Sequence, residues 1–165
     1  MNLQFYLEKL SSSDELKKFK KENPKAYLCS AFFIIDKEGK NNKVHFDYFV
    51  PKGNIISFHT EKEIKKEEME NFSSVLQEKI QSKFDLDFND VESLISKRME
   101  EENIKNKIQK IILSLQNYKG EEILSGTVFI SAMGMIKISI DLKKMEIVDF
   151  EKKSIMDILN IVKKK

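Results

Sequence analysis

Three short strands are predicted between residues 26 and 60 from the order of apolar and polar side chains. The first, Ala26–Asp36, is apolar on both faces, which is typical of a strand at the centre of a sheet. The second, Lys43–Val50, alternates between apolar and polar residues, as a half-buried strand does. The third, Asn54–Thr60, follows a tight turn. We expect the rest of the chain to be organised around these three strands.

A helix is predicted before them, over residues 2–22. Its apolar positions are Leu3, Tyr6, Leu7, Leu10, Leu16 and Phe19. A break is expected at Ser11–Ser13, where Ser12 and Glu15 have the spacing of a capping box. The helix should end at Asn23-Pro24, because the residue before a proline disfavours the α region.

The turn Pro51-Lys52-Gly53 predicts how the second and third strands pair. In a three-residue loop, a type I turn is followed by a residue in the left-handed conformation. Pro51 suits the first turn position, and Gly53 suits the left-handed one. The resulting register keeps the apolar sides of the two strands together and places His45 opposite His59.

His45 and His59 are the two histidines of the chain, and Asp47 is expected on the same face. Opposed histidines beside a carboxylate could bind a divalent metal, or titrate as a coupled pair near neutral pH. The alternative is a pair of half-exposed residues on a polar sheet face. Because structural zinc almost always has four protein ligands, these three residues are candidates and not a complete metal site.

Residues 61–118 are predicted to be helical. The apolar positions at helical spacing after Glu61 are Met69, Phe72, Val75, Leu76, Ile80 and Phe84. A second helix, capped by Asp87 or Asn89, is expected from about Asp90 to Tyr118, either as one rod or in two pieces. Glycine favours the C-cap position, so Lys119-Gly120 should end it.

Strands are expected again at Ile123–Ala132, Met135–Asp141 and Met145–Phe150, followed by a helix over Lys153–Val162. The order of a helix and then three strands thus occurs twice, which indicates an internal repeat of architecture.

The predicted fold class is α+β. It consists of two α-β-β-β units, with an antiparallel sheet of about six strands, helices packed on one face, and a C-terminal helix. The units 1–60 and 119–165 are joined by the segment 61–118, and together they form one compact domain, 1–165. The two three-strand halves either join into one sheet or face each other.

Composition limits the partners that we expect. The chain has 165 residues and a net charge of +2, which gives no indication of a nucleic-acid partner. The sequence begins without the pattern of a signal peptide and has no apolar run long enough for a membrane span. We therefore expect no membrane partner and a cytoplasmic location. The single cysteine, Cys29, excludes an intrachain disulfide and is expected to be buried.

Short catalytic signatures such as GxGxxG, HExxH, GxSxG and CxxC do not occur. An enzyme is therefore not the leading hypothesis, and we assign no catalytic residue, cofactor or cofactor-binding residue.

The run Asn23-Pro24-Lys25-Ala26-Tyr27-Leu28, with the strand, glycine turn and strand after it, resembles PepSY-like modules. The resemblance covers residues 13–60 and again 104–150. It implies a helix followed by an antiparallel meander, and an association with peptidase inhibition or regulation outside the cytoplasm. Cystatin-like sheets and small secretion chaperones share the order of elements. Such chaperones are typically acidic dimers, whereas this chain has a pI near 8.4.

The leading functional hypothesis is a non-catalytic binding or regulatory module for a peptide or protein partner, based on exposed sheet edges. One alternative is a metal- or pH-responsive domain that uses His45 and His59. Another is a small intracellular chaperone-like dimer, so a second copy of the chain is also among the candidate partners.

Overall fold

The computed structural model describes residues 2–69, 77–81 and 86–164. In these ranges the chain forms four helices and eight strands. In chain order they are α1 (Leu3–Ser12), α2 (Asp14–Glu22), β1 (Tyr27–Asp36), β2 (Lys43–Phe49), β3 (Ile55–His59), β4 (Lys65–Met69), α3 (Phe88–Glu101), β5 (Ile108–Tyr118), β6 (Glu121–Ile130), β7 (Gly134–Asp141), β8 (Glu146–Ser154) and α4 (Ile155–Lys163).

All eight strands belong to one antiparallel sheet with the order β4-β3-β2-β1-β5-β6-β7-β8. Two four-strand meanders, β1–β4 and β5–β8, meet where β1 pairs with β5, and Ile34 lies opposite Ile112 at this junction. The predicted α+β class with an antiparallel sheet is confirmed. The two halves join into a single sheet, and each contributes one strand more than the predicted three.

Helices α1, α2 and α3 pack on one face of the sheet, which we call the packed face. Phe19 of α2 contacts Tyr48 and Phe58 edge-on, and Phe88 of α3 contacts Phe33 of β1. Phe33 and Phe58 are completely buried. Burial of a side chain of this size contributes about 2–3 kcal/mol, so these contacts are a main source of stability.

The opposite side of the sheet is called the open face. Its residues alternate with those of the packed face along each strand. In β1 the prediction of a central strand is confirmed, but only its packed face is fully buried. Phe33 and Ile35 are buried, whereas Phe32 and Ile34 on the open face are half-buried.

The N-terminal helical segment divides where the serines predicted a break. The cap of α2 is Ser13, whose hydroxyl accepts a hydrogen bond from the amide of Leu16 at 3.2 Å. At its other end the amide of Asn23 still bonds to the carbonyl of Phe19, and the chain then leaves the helix before Pro24.

The prediction of a helix starting after Glu61 is wrong for the residues that the structure describes there. Lys65–Met69 forms β4, which pairs with β3 at the edge of the sheet, and all five of its residues are exposed. Ile80 is buried and its amide bonds to the carbonyl of Leu28, but residues 77–81 have no regular secondary structure. The predicted helix positions Phe72, Val75, Leu76 and Phe84 lie outside the described residues.

The prediction of helix from Asp90 to Tyr118 holds only for its first part. Asp87 caps α3, as expected, by accepting a hydrogen bond from the amide of Asn89. Residues 108–118, however, form β5, whose Ile111, Leu113 and Leu115 are buried on the packed face. Ile108, Ile111, Ile112 and Leu115 have helical spacing, whereas Ile111, Leu113 and Leu115 alternate as in a strand. Pairing with β1 decides for the strand.

Lys119 and Gly120 form the turn between β5 and β6 instead of a helix end. Both residues are left-handed, with φ of 54° and 85°, which is the geometry of a tight hairpin. The last three strands and the final helix occur close to their predicted positions. No helix in the described part of the chain is long and apolar enough to cross a membrane.

Candidate functional site

His45 and His59 lie opposite each other on β2 and β3, on the open face. The centroids of the two rings are 4.8 Å apart and the rings are tilted by 56°. The turn that predicted this pairing is present: Gly53 has φ of 98° and its amide bonds to the carbonyl of Val50 at 2.8 Å. The predicted register is therefore confirmed, and it brings the two histidines together.

Phe32 of β1 completes an aromatic row on this face. Its ring stacks on that of His45, with centroids 4.6 Å apart and an interplanar angle of 13°. The sequence placed Phe32 on one side of a central strand but did not assign the register between β1 and β2. The stack holds the imidazole of His45 between Phe32 and His59.

Glu67 of β4 was not predicted as part of this cluster. Its Oε2 lies 3.2 Å from Nε2 of His59. The same Nε2 is shielded from solvent and has no aligned hydrogen bond to a described residue, so the contact is an ion pair only when His59 is protonated. The residue was missed because the segment containing it was expected to be helical. The signal for β4 was only the run of charged residues that an edge strand uses.

The pKa of His45 is lowered from its ordinary value of 6.5. Burial is the largest cause, because it disfavours the charged imidazolium. The nearby carboxylate of Asp47 acts in the opposite direction, whereas His59 lowers the pKa further. His45 is therefore neutral at neutral pH.

Asp47 lies opposite a serine on each of the two neighbouring strands. Ser30 of β1 donates a hydrogen bond to Oδ2 of Asp47 at 2.5 Å, and Ser57 of β3 lies opposite Asp47 in the register. Ser57 is completely buried, yet its hydroxyl and the Oδ1 atom of Asp47 have no hydrogen-bond partner among the described residues.

Cys29 is buried, as predicted, and its thiol donates to the main-chain carbonyl of Asp47 at 3.3 Å. Burial, with a smaller contribution from the Asp47 charge, raises the pKa of the thiol to about 12. Cys29 therefore remains a protonated thiol and is not a nucleophile.

The metal hypothesis concerned His45, His59 and Asp47. Within residues 2–69, 77–81 and 86–164, no three histidine, cysteine or acidic side chains are placed so that they could hold a metal ion together. In this conformation the cluster is a pair of imidazoles with the carboxylates of Asp47 and Glu67 beside them.

Beyond the histidines, the open face continues across the centre of the sheet as a mixed surface. Half-buried apolar side chains form its middle, and they are Phe32, Ile34, Ile112, Ile123, Phe129 and Met135. The hydroxyls of Ser114, Ser125, Thr127 and Ser139 lie among them. Phenylalanine and methionine, such as Phe32, Phe129 and Met135 here, are enriched in the core of protein–protein interfaces, whereas serine is depleted there.

Both edges of the sheet carry charged residues. On β4 they are Lys65, Lys66, Glu67 and Glu68, and on β8 they are Glu146, Asp149, Glu151, Lys152 and Lys153. Charged side chains on an edge strand oppose the addition of another strand. The expectation that exposed edges would bind a partner is therefore weakened, and the open face is the better candidate.

No protein-family model matches the chain, and no curated protein sequence matches it. Among solved structures, it is similar to a putative lipoprotein from Clostridium difficile 630 with a TM-score of 0.47 and 14% sequence identity. The match covers 85% of this chain and 91% of that chain. No functional conclusion follows from a similarity at this level, and the resemblance to PepSY-like modules stays a prediction.

Proposed function

We propose that this chain is a non-catalytic binding or regulatory module that holds a protein partner on the open face of its sheet. The observation that supports the proposal is the half-buried apolar middle of that face, on either side of the Ile34–Ile112 pair. Helices α1, α2 and α3 pack on the opposite face, so these three helices do not cover this side of the sheet.

The size of the open face suits a protein partner. Eight strands about 4.8 Å apart, each of about eight residues at about 3.3 Å, give a surface of roughly 34 Å by 26 Å. This area is similar to the roughly 800 Å² that each partner contributes to an interface of standard size.

Capture experiments with the immobilised full chain test the proposal. We would compare the wild type with a double variant, Ile34→Glu with Ile112→Lys. The two new side chains lie directly opposite each other, so their charges support the sheet while making the face polar. A matched control, Ile161→Lys, removes an equally large apolar side chain from α4.

Proteins retained by the wild type and by the control should be retained at least tenfold less by the face variant. Equal retention by a face variant whose circular dichroism is unchanged would contradict the proposal. So would a loss of retention that is confined to the α4 control.

A second proposal is a pH-responsive domain, which the lowered pKa of His45 and its contact with His59 support. Because the cluster lies at one end of the open face, proton uptake there would change the charge of the binding surface. NMR titration of the His45 ring would test this: protonation at a pH below the ordinary histidine value of 6.5 is expected. Protonation of His45 at that ordinary value would contradict it.

A further inference from the structure

The C-terminal helix α4 exposes almost all of its apolar side chains. Residues 156–164 are all exposed, and the exposed fraction reaches 61% at Ile161 and 67% at Val162. Its other exposed apolar residues are Met156, Ile158 and Leu159. No side chain of α4 is buried, so its apolar surface contributes nothing to the core of the sheet.

The apolar residues of α4 follow a regular pattern. Ile155, Ile158, Leu159 and Val162 are spaced as i, i+3, i+4 and i+7 and form one stripe. Asp157, Asn160 and Lys164 share the opposite side at spacings of three and four residues. Such a helix is amphipathic in sequence although it has no apolar partner among the residues that the structure describes.

The turn between β6 and β7 adds an exposed methionine beside the start of α4. The amide of Ile155 donates to the carbonyl of Met133 at 3.1 Å, and the Met133 side chain is 55% exposed. Ala132 and Met133 are both left-handed, with φ of 61° and 58°. Residues with a Cβ adopt this conformation only at an energetic cost, because the Cβ approaches the following carbonyl oxygen. The fold thus keeps an unfavourable turn that exposes an apolar side chain next to α4.

Positive charges flank the apolar helix. Lys152 and Lys153 lie before it in β8, and Lys163 and Lys164 lie at its end; all four are exposed. The acidic side chain of α4, Asp157, accepts a hydrogen bond from the amide of Ser154 and belongs to the N-terminal capping box. The segment therefore combines an apolar stripe with an excess of lysine.

We propose that α4 binds flat on the surface of an anionic lipid bilayer, with the Ile158 and Val162 stripe in the interface and the lysines next to the headgroups. A short amphipathic helix with lysines at its borders is the kind of helix that lies in a membrane interface without crossing it. Its exposed methionine neighbour at position 133 would enter the same interface.

A second copy of the chain fits this surface less well. A helix of nine residues is about 13.5 Å long. Two such helices packed together bury much less than the roughly 800 Å² per partner of a standard interface. The lysines at the end of each helix also favour a surface of negative charge over an identical positive one. The proposal is independent of the binding proposed for the open face.

Flotation of the full chain with vesicles tests it. Vesicles of phosphatidylcholine alone are compared with vesicles that also contain phosphatidylserine, at low and high salt. Three variants are used: Ile158→Gln with Val162→Gln in the stripe, Lys163→Gln with Lys164→Gln for the charge, and Phe5→Gln as a control. Phe5 is 62% exposed on α1, so its substitution removes a comparable apolar surface elsewhere.

The wild type and the Phe5→Gln control should float with the phosphatidylserine vesicles and bind less at high salt. Each lysine near an anionic surface is worth about 1 kcal/mol, so the charge variant, which lacks two of them, should bind about thirtyfold more weakly. The stripe variant should lose at least as much.

The proposal is overturned if the wild type binds neither kind of vesicle, or if the stripe variant floats as well as the wild type. Analytical ultracentrifugation without lipid tests whether α4 instead binds a second copy of the chain. A dimer that the stripe variant dissociates, together with no flotation, would assign α4 to a second copy and overturn the lipid proposal.

Discussion

His45 and His59 face each other across β2 and β3 with their ring centroids 4.8 Å apart, and the ring of Phe32 stacks on His45 from the other side. A charge placed on His45 is therefore shielded from water and lies next to a second imidazole. This arrangement determines how the protein should respond to acid.

Lowering the pH from about 7.5 to about 5.5 should reduce the free energy of unfolding through His45. Its pKa is lowered in the folded state, chiefly by burial, so below the ordinary value of 6.5 the unfolded chain binds more protons than the folded one. Stability from this group is fully present above 6.5 and is lost as the pH falls toward the folded pKa. Urea midpoints at both pH values measure the effect.

The variant for this test is His45→Gln. The His45→Gln variant should lose less stability than the wild type between the two pH values. If His45→Gln loses as much as the wild type does, the imidazole of His45 is not responsible for the acid sensitivity.

Ser30 and Ser57 should respond oppositely to substitution by alanine. Ser30 donates to the carboxylate of Asp47, and loss of a hydrogen bond to a charged group costs about 1.5–3 kcal/mol. The buried hydroxyl of Ser57 has no hydrogen-bond partner in the described part of the chain, so Ser57→Ala should be neutral or stabilising. Chemical denaturation of both variants compares them directly. If the two alanine variants are destabilised equally, the hydrogen bond from Ser30 to Asp47 does not contribute the stability expected of it.

Gly53→Ala should destabilise the protein by about 1 kcal/mol, because a residue with a Cβ disfavours the left-handed conformation. A Cβ at this position meets nothing within 4 Å, so the whole cost comes from the backbone at φ of 98°. Lys52→Ala, in the same turn, is the control and should change thermal stability little. A Gly53→Ala variant as stable as the wild type would argue against this turn geometry and the histidine register that depends on it.

Gly126→Ala should be more damaging than Gly134→Ala, whose added Cβ would meet the side chain of Ile130 and not a main-chain atom at close range. Gly126 lies in β6 opposite Leu113, and an added Cβ would collide with the main-chain carbonyl of Ile112. Because a backbone atom cannot move away as a side chain can, we expect a loss of about 1–3 kcal/mol. Thr127→Ala, on the open side of the same strand, is the comparison. Similar urea midpoints for the two variants would contradict the close approach of β5 and β6.

The sequence was sufficient for the first three strands because each had an independent local signal. Proline and glycine determined the turn at residues 51–53, and the alternation of Phe46 and Tyr48 determined the side that faces the core. The two signals agreed on one register, and that register brought His45 and His59 together.

Strands β4 and β5 could not be predicted for different physical reasons. Lys65–Met69 has no apolar alternation because every residue of this edge strand is exposed, so only pairing with β3 makes it a strand. In β5, the run of isoleucine and leucine fits a helix as well as a strand. Gly120 was the available signal, since a glycine suits the left-handed position of a tight hairpin as well as the end of a helix.

These two errors also concealed part of the candidate site. Glu67 reaches His59 only because β4 pairs with β3, and Ile112 reaches the open face only because β5 pairs with β1. Long-range pairing of this kind depends on loop closure between distant segments, which local periodicity does not report.

The most direct test of the open-face proposal is methyl NMR of isoleucine-labelled protein during titration with a partner that the wild type captures. The methyl signals of Ile34, Ile112 and Ile123 on the open face should shift or broaden. Those of Ile158 and Ile161 on α4 should remain unchanged. Changes confined to α4, with the open-face methyl groups unaffected, would contradict the proposal that the open face binds the partner.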